Sequence, residues 1–501
     1  MSVSRSPAAA IRRSPLAAYR QIARDLRNRI AGGEFVAHER LPTEDELMAR
    51  FGVSRHTVRS ALQMLVNEGL LERYAGRGTF VVERPSRDHS WRIRSLDDIV
   101  NENFPADPKI LYIYNSATSG VRKSDELAIC SDGEPGANPD TALYSIDVIA
   151  VPLDHPEDAA IVNRPRIFAD RETGAVAGLW MGGRAGVASQ GTARTNHCHD
   201  ITVFPEIGQA AGACSGNGIL LDISDPKNPQ RISDIFDPDM AYWHSATFAN
   251  SGEKVVFTDE WGGGTSPRCT ADAPGNWGAN LVATITNGEL RGRAFHKLPS
   301  VQGANENCVA HNGNIIPVPG RDLMVQAWYQ GGISIMDFTD PMHPVEVAYF
   351  DRGPLGERLM IGGSWSAYWF NGRIYSSEIA RGIDVLRLLP SDQMSASEIA
   401  AAEAVHMDVI NPQTQTRVTW ADTPDVAAAY LDQLNRTDGI EDALSEQVGA
   451  VITGWRRGRI NASAAASSSA SLKAAAAVVG VDPIAAGRMN ALAEVLDRAA
   501  G

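Results

Sequence analysis

The stretch FGVSRHTVRSALQMLVNEGLLERYAGRGTFVVE, residues 51–83, decides how the first part of this chain folds. Gly52 marks a turn and Ser54 is placed to cap a helix. Val58, Leu62 and Leu65 then recur at spacings of four and three, the buried stripe of an amphipathic helix. That stripe turns Arg55, His56 and Arg59 outward at the N-terminal end, the end a recognition helix presents to the major groove. After Gly69, the β-rich runs LLERY and TFVVE, joined by AGRG, predict a hairpin.

Working outward, Leu16, Tyr19, Ile22, Ala23, Leu26 and Ile30 predict a preceding helix over 15–30, stopped by Gly32-Gly33. LPTEDELMARF offers Thr43 as an N-cap with Glu46 three residues on, a capping box. Helix, helix-turn-helix and hairpin together make a winged helix over 15–86, behind a flexible 1–14. Exposed arginines on a helical domain can be solvated surface. Arginine at both the helix start and the hairpin tip favours a nucleic-acid surface instead.

The segments YRQIARDLRNRI, RLPTEDELMARFGVSRHTVRSALQMLVNEGLL and GRGTFVVE resemble the DNA-binding domain of the GntR family of bacterial transcription regulators, over about residues 15–84. The resemblance implies that Arg55 and Arg59 read base edges or phosphates, that Thr57 contacts the backbone, and that Gly76-Arg77-Gly78 enters the minor groove. With the caps and His56, the candidate DNA-contacting set is Thr43, Ser54, Arg55, His56, Thr57, Arg59, Gly76, Arg77 and Gly78. Arginine on guanine gives bidentate hydrogen bonds, whereas arginine on phosphate gives salt-dependent affinity without sequence information. Many family members carry Arg or a neutral residue where this chain has Asp45. The resemblance also implies a homodimer on double-stranded, near-palindromic operator DNA.

Charge divides the chain in the same place. Residues 1–94 hold 17 Arg, no Lys and 10 acidic residues, net +7, while the remainder has 29 basic and 50 acidic residues, net -21. A basic head on an acidic body predicts that only the head meets a polyanion. Across all 501 residues, 44% apolar and 21% charged are the proportions of a globular protein. No run reaches the roughly 18 apolar residues of a membrane span, and Arg5, Arg12 and Arg13 are not followed by the apolar block of a secretory signal. The expected location is the cytoplasm. Cys130, Cys198, Cys214, Cys269 and Cys308, an odd count with no CxxC pair, are therefore expected to be reduced.

SWRIRSLDDIV at 90–100 resembles the opening of a UTRA-type effector domain, and the pattern then changes. Pro105 and Pro108 mark a junction within a linker at 87–108. From 109 to 421 short strands and turns follow, with GILLDISDPKNPQRISDI at 218–235 repeated as GISIMDFTDPMHPVEVAY at 332–349. Repeats of small antiparallel sheets predict an all-β propeller of about four to five blades, and the Gly and Asp-Pro punctuation excludes a helical solenoid. HCHDITVFPE, YWHSATF, FTDEWGGG, ENCVAHNGNIIPVPGRD and QAWYQGGISIMDFTDP resemble the LVIVD-repeat propellers, over about 109–420.

Histidines recur at similar places in successive repeats: His197, His199, His244 and His311. Inner strands of a propeller converge on a channel, so these imidazoles could ligate a transition metal there, near Asp200, Glu260, Glu306 or Glu378. Equally, each could hydrogen-bond its neighbouring blade. Trp243, Trp261, Trp277, Trp328, Trp365 and Trp369 offer either a pocket lining or inter-blade core. The GGG at 262–264 lacks the Lys-Ser/Thr of a phosphate loop.

Residues 422–501 read as about four helices, with the low-complexity NASAAASSSAS at 461–471 as a link between two pairs. The expected whole is a multidomain, non-enzymatic regulator. Its propeller would sense a small-molecule effector or make protein contacts. The alternative is a metal-binding propeller protein or enzyme with an incidental head.

Overall fold

The computed structural model describes residues 18–31, 35, 38–67, 70–74, 78–81, 110–117, 133–138, 141–186 and 189–500. They fall into two compact units, Met1–His89 and Ser90–Gly501. The expectations for residues 1–14, for Gly76 and Arg77, for Cys130 and for the junction at 100–108 lie outside the described residues.

In the first unit, α1 (Ala18–Ala31), α2 (Glu44–Phe51) and α3 (Arg55–Asn67) precede a hairpin of β1 (Leu71–Tyr74) and β2 (Gly78–Val81). The start of α2 follows the predicted capping box: Thr43 Oγ1 accepts from the Glu46 N–H, and Glu46 Oε2 accepts from the Thr43 N–H at 2.7 Å. Its end follows from Gly52, whose φ of 67° is left-handed and lets its N–H reach the Met48 carbonyl. Ser54 Oγ accepts from the Thr57 N–H, which opens α3 one tight turn later. Ile22 and Leu26 of α1, Leu47 and Phe51 of α2, Val58, Leu62 and Leu65 of α3, and Leu71 and Val81 of the hairpin form one core. Each fully buried leucine there stabilises the unit by about 1.5–3 kcal/mol. Arg40 bridges Phe80, so the entry to α2 is tied to the second strand of the wing.

The second unit is mostly β-sheet, followed by helices. Among the described residues five antiparallel sheets succeed one another, each with its strands in chain order. The first holds β3 (Ile110–Ser116), β4 (Ile146–Pro152) and β5 (Ala160–Asn163). The second holds β6 (Asp200–Phe204), β7 (Gln209–Cys214), β8 (Asn217–Asp222) and β9 (Gln230–Ile235), and the third β10 (Trp243–Phe248), β11 (Lys254–Asp259), β12 (Asn280–Thr286) and β13 (Glu289–His296). The fourth holds β14 (Gly313–Ile316), β15 (Leu323–Ala327), β16 (Ile333–Asp337) and β17 (Val345–Phe350), and the last β18 (Ser364–Phe370), β19 (Arg373–Glu378) and β20 (Gly382–Leu386).

The two repeated sequences are the third and fourth strands of the second and fourth sheets. Their shared Asp residues make the same turn in each: Asp222 Oδ1 accepts from the Ser224 N–H at 2.8 Å, and Asp337 Oδ1 from the Thr339 N–H at 2.9 Å. The Asp-Pro pair that follows repeats the device, with Asp225 accepting from Lys227 N–H and Asp340 from Met342 N–H. Apolar side chains interleave between sheets: Phe204, Leu220, Trp243, Phe257 and Leu281 join the second to the third, and Val325, Ile335, Ala367 and Trp369 join the fourth to the last. Trp243, Trp328 and Trp369 are thus core, while Trp365 is half-exposed.

The segment at 411–418 crosses between sheets. Val203 of β6 exchanges hydrogen bonds with Gln413 and Gln415, and the Gln415 side chain brackets both backbone groups of Phe248 in β10.

Among the described residues five helices follow the sheets: α4 (Ala396–Glu403), α5 (Pro424–Arg436), α6 (Asp442–Arg456), α7 (Ala462–Ala476) and α8 (Pro483–Ala500). Here the sequence expectation needs correction. The stretch 461–471 is no link but the start of α7: Asn461 caps it by accepting from the Ala464 N–H, and alanine supplies the helix propensity. Its small residues let α7 lie close against α8, with Ala465, Ser468, Ser469 and Leu472 buried. At the root of the tail, Glu398 is wholly buried and paired with Arg321, at 3.1 Å, and with Arg436.

The cysteines also depart from expectation. Cys198 and Cys214 are disulfide-bonded, as are Cys269 and Cys308. The first pair joins the end of β7 to the residues just before β6, beyond the last ladder pair of Asp200 with Ala213. The second ties the loop after β11 to the approach to β14, where Pro267 bridges Cys308.

Candidate functional site

Among the described residues two clusters of candidate functional side chains stand out, one in each unit. In the head, the N-terminal turn of α3 exposes Arg55, His56 and Arg59, while Val58 between them is fully buried and fixes the face they occupy. Thr57 is half-buried, its hydroxyl 2.9 Å from Ser54 Oγ. Thr43 and Ser54 therefore serve helix starts, and Gly78 opens the second wing strand with a left-handed φ of 119°.

The arginines do not stand alone. Arg59 Nε donates to both oxygens of Glu44, at 3.1 and 2.9 Å, and Arg73 of the wing donates to the same carboxylate. Arg55 donates to Asp45. Glu44 is held below the ordinary carboxylate range: burial opposes this, but the two guanidiniums outweigh it. Sequence reading singled out Asp45 only as a departure from its relatives. It missed the partnership, because the pairing spans two helices whose angle the turn at Gly52 sets.

In the body, the second to fourth sheets bring three of the four predicted histidines together. The His199 and His244 rings lie 3.8 Å apart between centroids, and those of His244 and His311 4.3 Å apart. His197 is not among them. Its Nδ1 meets Asn196 Oδ1 at 2.7 Å and its Nε2 meets the Tyr242 hydroxyl and Ser215 Oγ, so it serves the sheet rather than the cluster. The residue that joins the stack is Glu260, directly after β11. Its Oε2 is 3.6 Å from His244 Nε2, and its Oε1 is 3.6 Å from His311 Nε2 and accepts from the Tyr329 hydroxyl.

Burial governs the charges. His197 and His311 are each pushed down to about 4, mainly by burial, and His244 well below its ordinary value by burial and its two histidine neighbours. For His199 burial acts downward too, but Asp200 reverses it and raises the imidazole. Glu260 is raised by burial despite the Tyr329 hydroxyl. A cavity of about 1140 Å³ opens beside the cluster, lined in part by Tyr114, His199, Tyr242, Glu260, Trp261 and Gln413.

The profile for bacterial regulatory proteins of the gntR family matches residues 18–81. Over 70 residues the chain is 51% identical to the HTH-type transcriptional repressor NagR of Bacillus subtilis, covering 14% of this chain and 29% of that protein. Over 84 residues it is 43% identical to the mannosyl-D-glycerate transport/metabolism system repressor MngR of Escherichia coli, covering 17% and 35%. The crystal structure of the AraR DNA-binding domain in complex with operator ORX1 is 37% identical, covers 16% of this chain and 100% of that one, and has a TM-score of 0.15. The chain spans about a third of the length of the curated relatives it matches. Residues 18–81 are a GntR-type helix-turn-helix DNA-binding domain.

Proposed function

We propose that the chain is a DNA-binding transcription regulator in which α3 enters the major groove of an operator and Arg55 and Arg59 read it. The observation that carries this reading is the exposed arginine pair at the N-terminus of α3, beside a two-stranded wing, inside the segment that matches the gntR family. In this reading Thr43, Ser54, His56 and Thr57 supply backbone contacts, and Gly76, Arg77 and Gly78 enter the minor groove. Such a role places the protein with DNA, in the cytoplasm, and the two disulfides of the body then stand against that compartment's reducing pool. Among the described residues no helix is long and apolar enough to cross a membrane.

Operator reading of this kind uses two heads on a near-palindromic site, so the working form is a homodimer. The body is read as a five-bladed, LVIVD-like propeller. The succession of sheets in chain order, the repeated Asp turns and the meeting of His199, His244 and His311 from three successive sheets support it. Its part is to bind a small-molecule effector or a protein and bias the spacing of the two heads. A ligand does this only through a difference in affinity between two head arrangements.

Selection of genomic fragments by the full chain tests the reading. The expected result is enrichment of a near-palindromic motif; enrichment that follows base composition alone would overturn it.

A further inference from the structure

Buried acceptors converge in the body without enough protons to serve them. His311 Nδ1 bonds the Trp365 carbonyl, an acceptor, so this nitrogen carries the proton and Nε2 is a bare lone pair. That lone pair is buried, has no hydrogen-bond partner among the described residues, and faces Glu260 Oε1. His244 Nδ1 is likewise buried without a partner, and its Nε2 stands 3.6 Å from Glu260 Oε2, too long for a hydrogen bond. Orphaned polar atoms of this kind are costly and mark a cluster short of positive charge, which an ion held by His244 and Glu260 would supply.

We infer that His199, His244 and Glu260 bind one first-row divalent transition-metal ion, with its open coordination positions facing the cavity beside them. One ligand atom from each of the three lies within 4.8 Å of the others. Tetrahedral coordination at about 2.1 Å places ligand atoms roughly 3.4 Å apart, so closure on an ion needs movements on the order of 1 Å. Two imidazoles and one carboxylate are the donor set of sites that keep positions free for water or a bound molecule.

The surroundings supply the supports such a site uses. His199 Nδ1 lies 3.3 Å from Asp200 Oδ1, a carboxylate that orients the ring. Asp200 is itself held by Asn312 Nδ2 at 3.0 Å and Gln413 Nε2 at 3.2 Å, and Glu260 by the Tyr329 hydroxyl. This site is independent of the DNA-binding reading, and its failure would leave that reading intact.

The full-length chain, freed of metal by chelator and dialysis, is titrated calorimetrically with Zn²⁺ and then with Cu²⁺, Ni²⁺ and Mn²⁺. One ion per chain is expected for at least one of them. His199→Ala, at the half-exposed edge of the cluster, and Glu260→Gln are expected to weaken binding at least about ten-fold, while His197→Ala binds as the wild type. X-ray absorption of the loaded wild-type chain should show nitrogen and oxygen ligands with imidazole scattering, a readout that needs no variant to fold. Absence of stoichiometric uptake of all four ions, sulfur in the first shell, or wild-type affinity in both ligand variants would overturn the inference.

Discussion

The head and the body keep their candidate functional side chains in opposite places. In the head, Arg55 and Arg59 are exposed on one short helix, and the buried residues that aim them are their immediate neighbours. In the body, the clustered His199, His244, Glu260 and His311 come from segments more than forty residues apart or from the two strands that meet at one end of the β10–β11 hairpin, and three of them are largely buried. A surface site can lose a side chain and keep its fold. A buried one cannot be altered without disturbing packing and charge, so the two units should fail differently when perturbed.

The largest effect is expected from Glu398→Ala. It leaves Arg436 and part of Arg321 facing an empty, buried position, a loss of about 3–5 kcal/mol in the stability of the body, read by denaturant unfolding. The pH dependence has a definite sign. Burial works against ionised Glu398, but Arg436, Arg321 and the Ser395 N–H prevail and hold it below the ordinary range. A depressed folded value means that this contribution is present above the unfolded value and is lost as pH falls through the folded one. Stability that rose on acidification below the ordinary glutamate range would contradict the pairing.

Reduction is the next test. Each body disulfide closes a loop, and a loop of about 15 residues is worth roughly 3 kcal/mol, so dithiothreitol should lower the body's melting transition. The head, residues 1–89, has no cysteine, and its own transition should stay fixed. Equal shifts in both would erase the contrast.

Legibility followed the same division. The head was readable because each of its signals is local: Thr43 with Glu46, Gly52 as a left-handed stop, and the stripe of Val58, Leu62 and Leu65. The repeated Asp turns of the body were readable for the same reason. What was not readable depended on contacts distant in sequence. Nothing near His197 distinguishes it from His199, and only the ladder between β6 and β7 shows that one serves Ser215 and the other the cluster. Glu260 was visible as one acidic residue among several, and the fold alone sets it against two imidazoles. The Ala/Ser run at 461–471 looked like a linker because its composition lacks an apolar stripe, yet small residues are what close packing on α8 requires.

Smaller effects probe the head. Thr43→Ala removes the capping bond to Glu46 and should cost about 1 kcal/mol of head stability, measured by thermal unfolding, and the lost backbone contact should lower operator affinity somewhat further without changing the preferred sequence. Asp45→Asn releases Arg55 and removes a negative charge from the DNA-facing edge. Because this pair is exposed, the gain should be small, about two- to five-fold in non-specific affinity at low salt and less at high salt. A change in sequence preference would instead make Asp45 a reader.

The most direct measurement compares the full chain with Arg55→Ala and Arg59→Ala on a selected operator and on unrelated duplex, by fluorescence anisotropy across a salt series. The account predicts that each substitution lowers the ratio of specific to non-specific affinity about 10- to 100-fold, while the melting transitions stay where they were. A ratio unchanged in both variants would contradict the assignment of α3 as the reading helix.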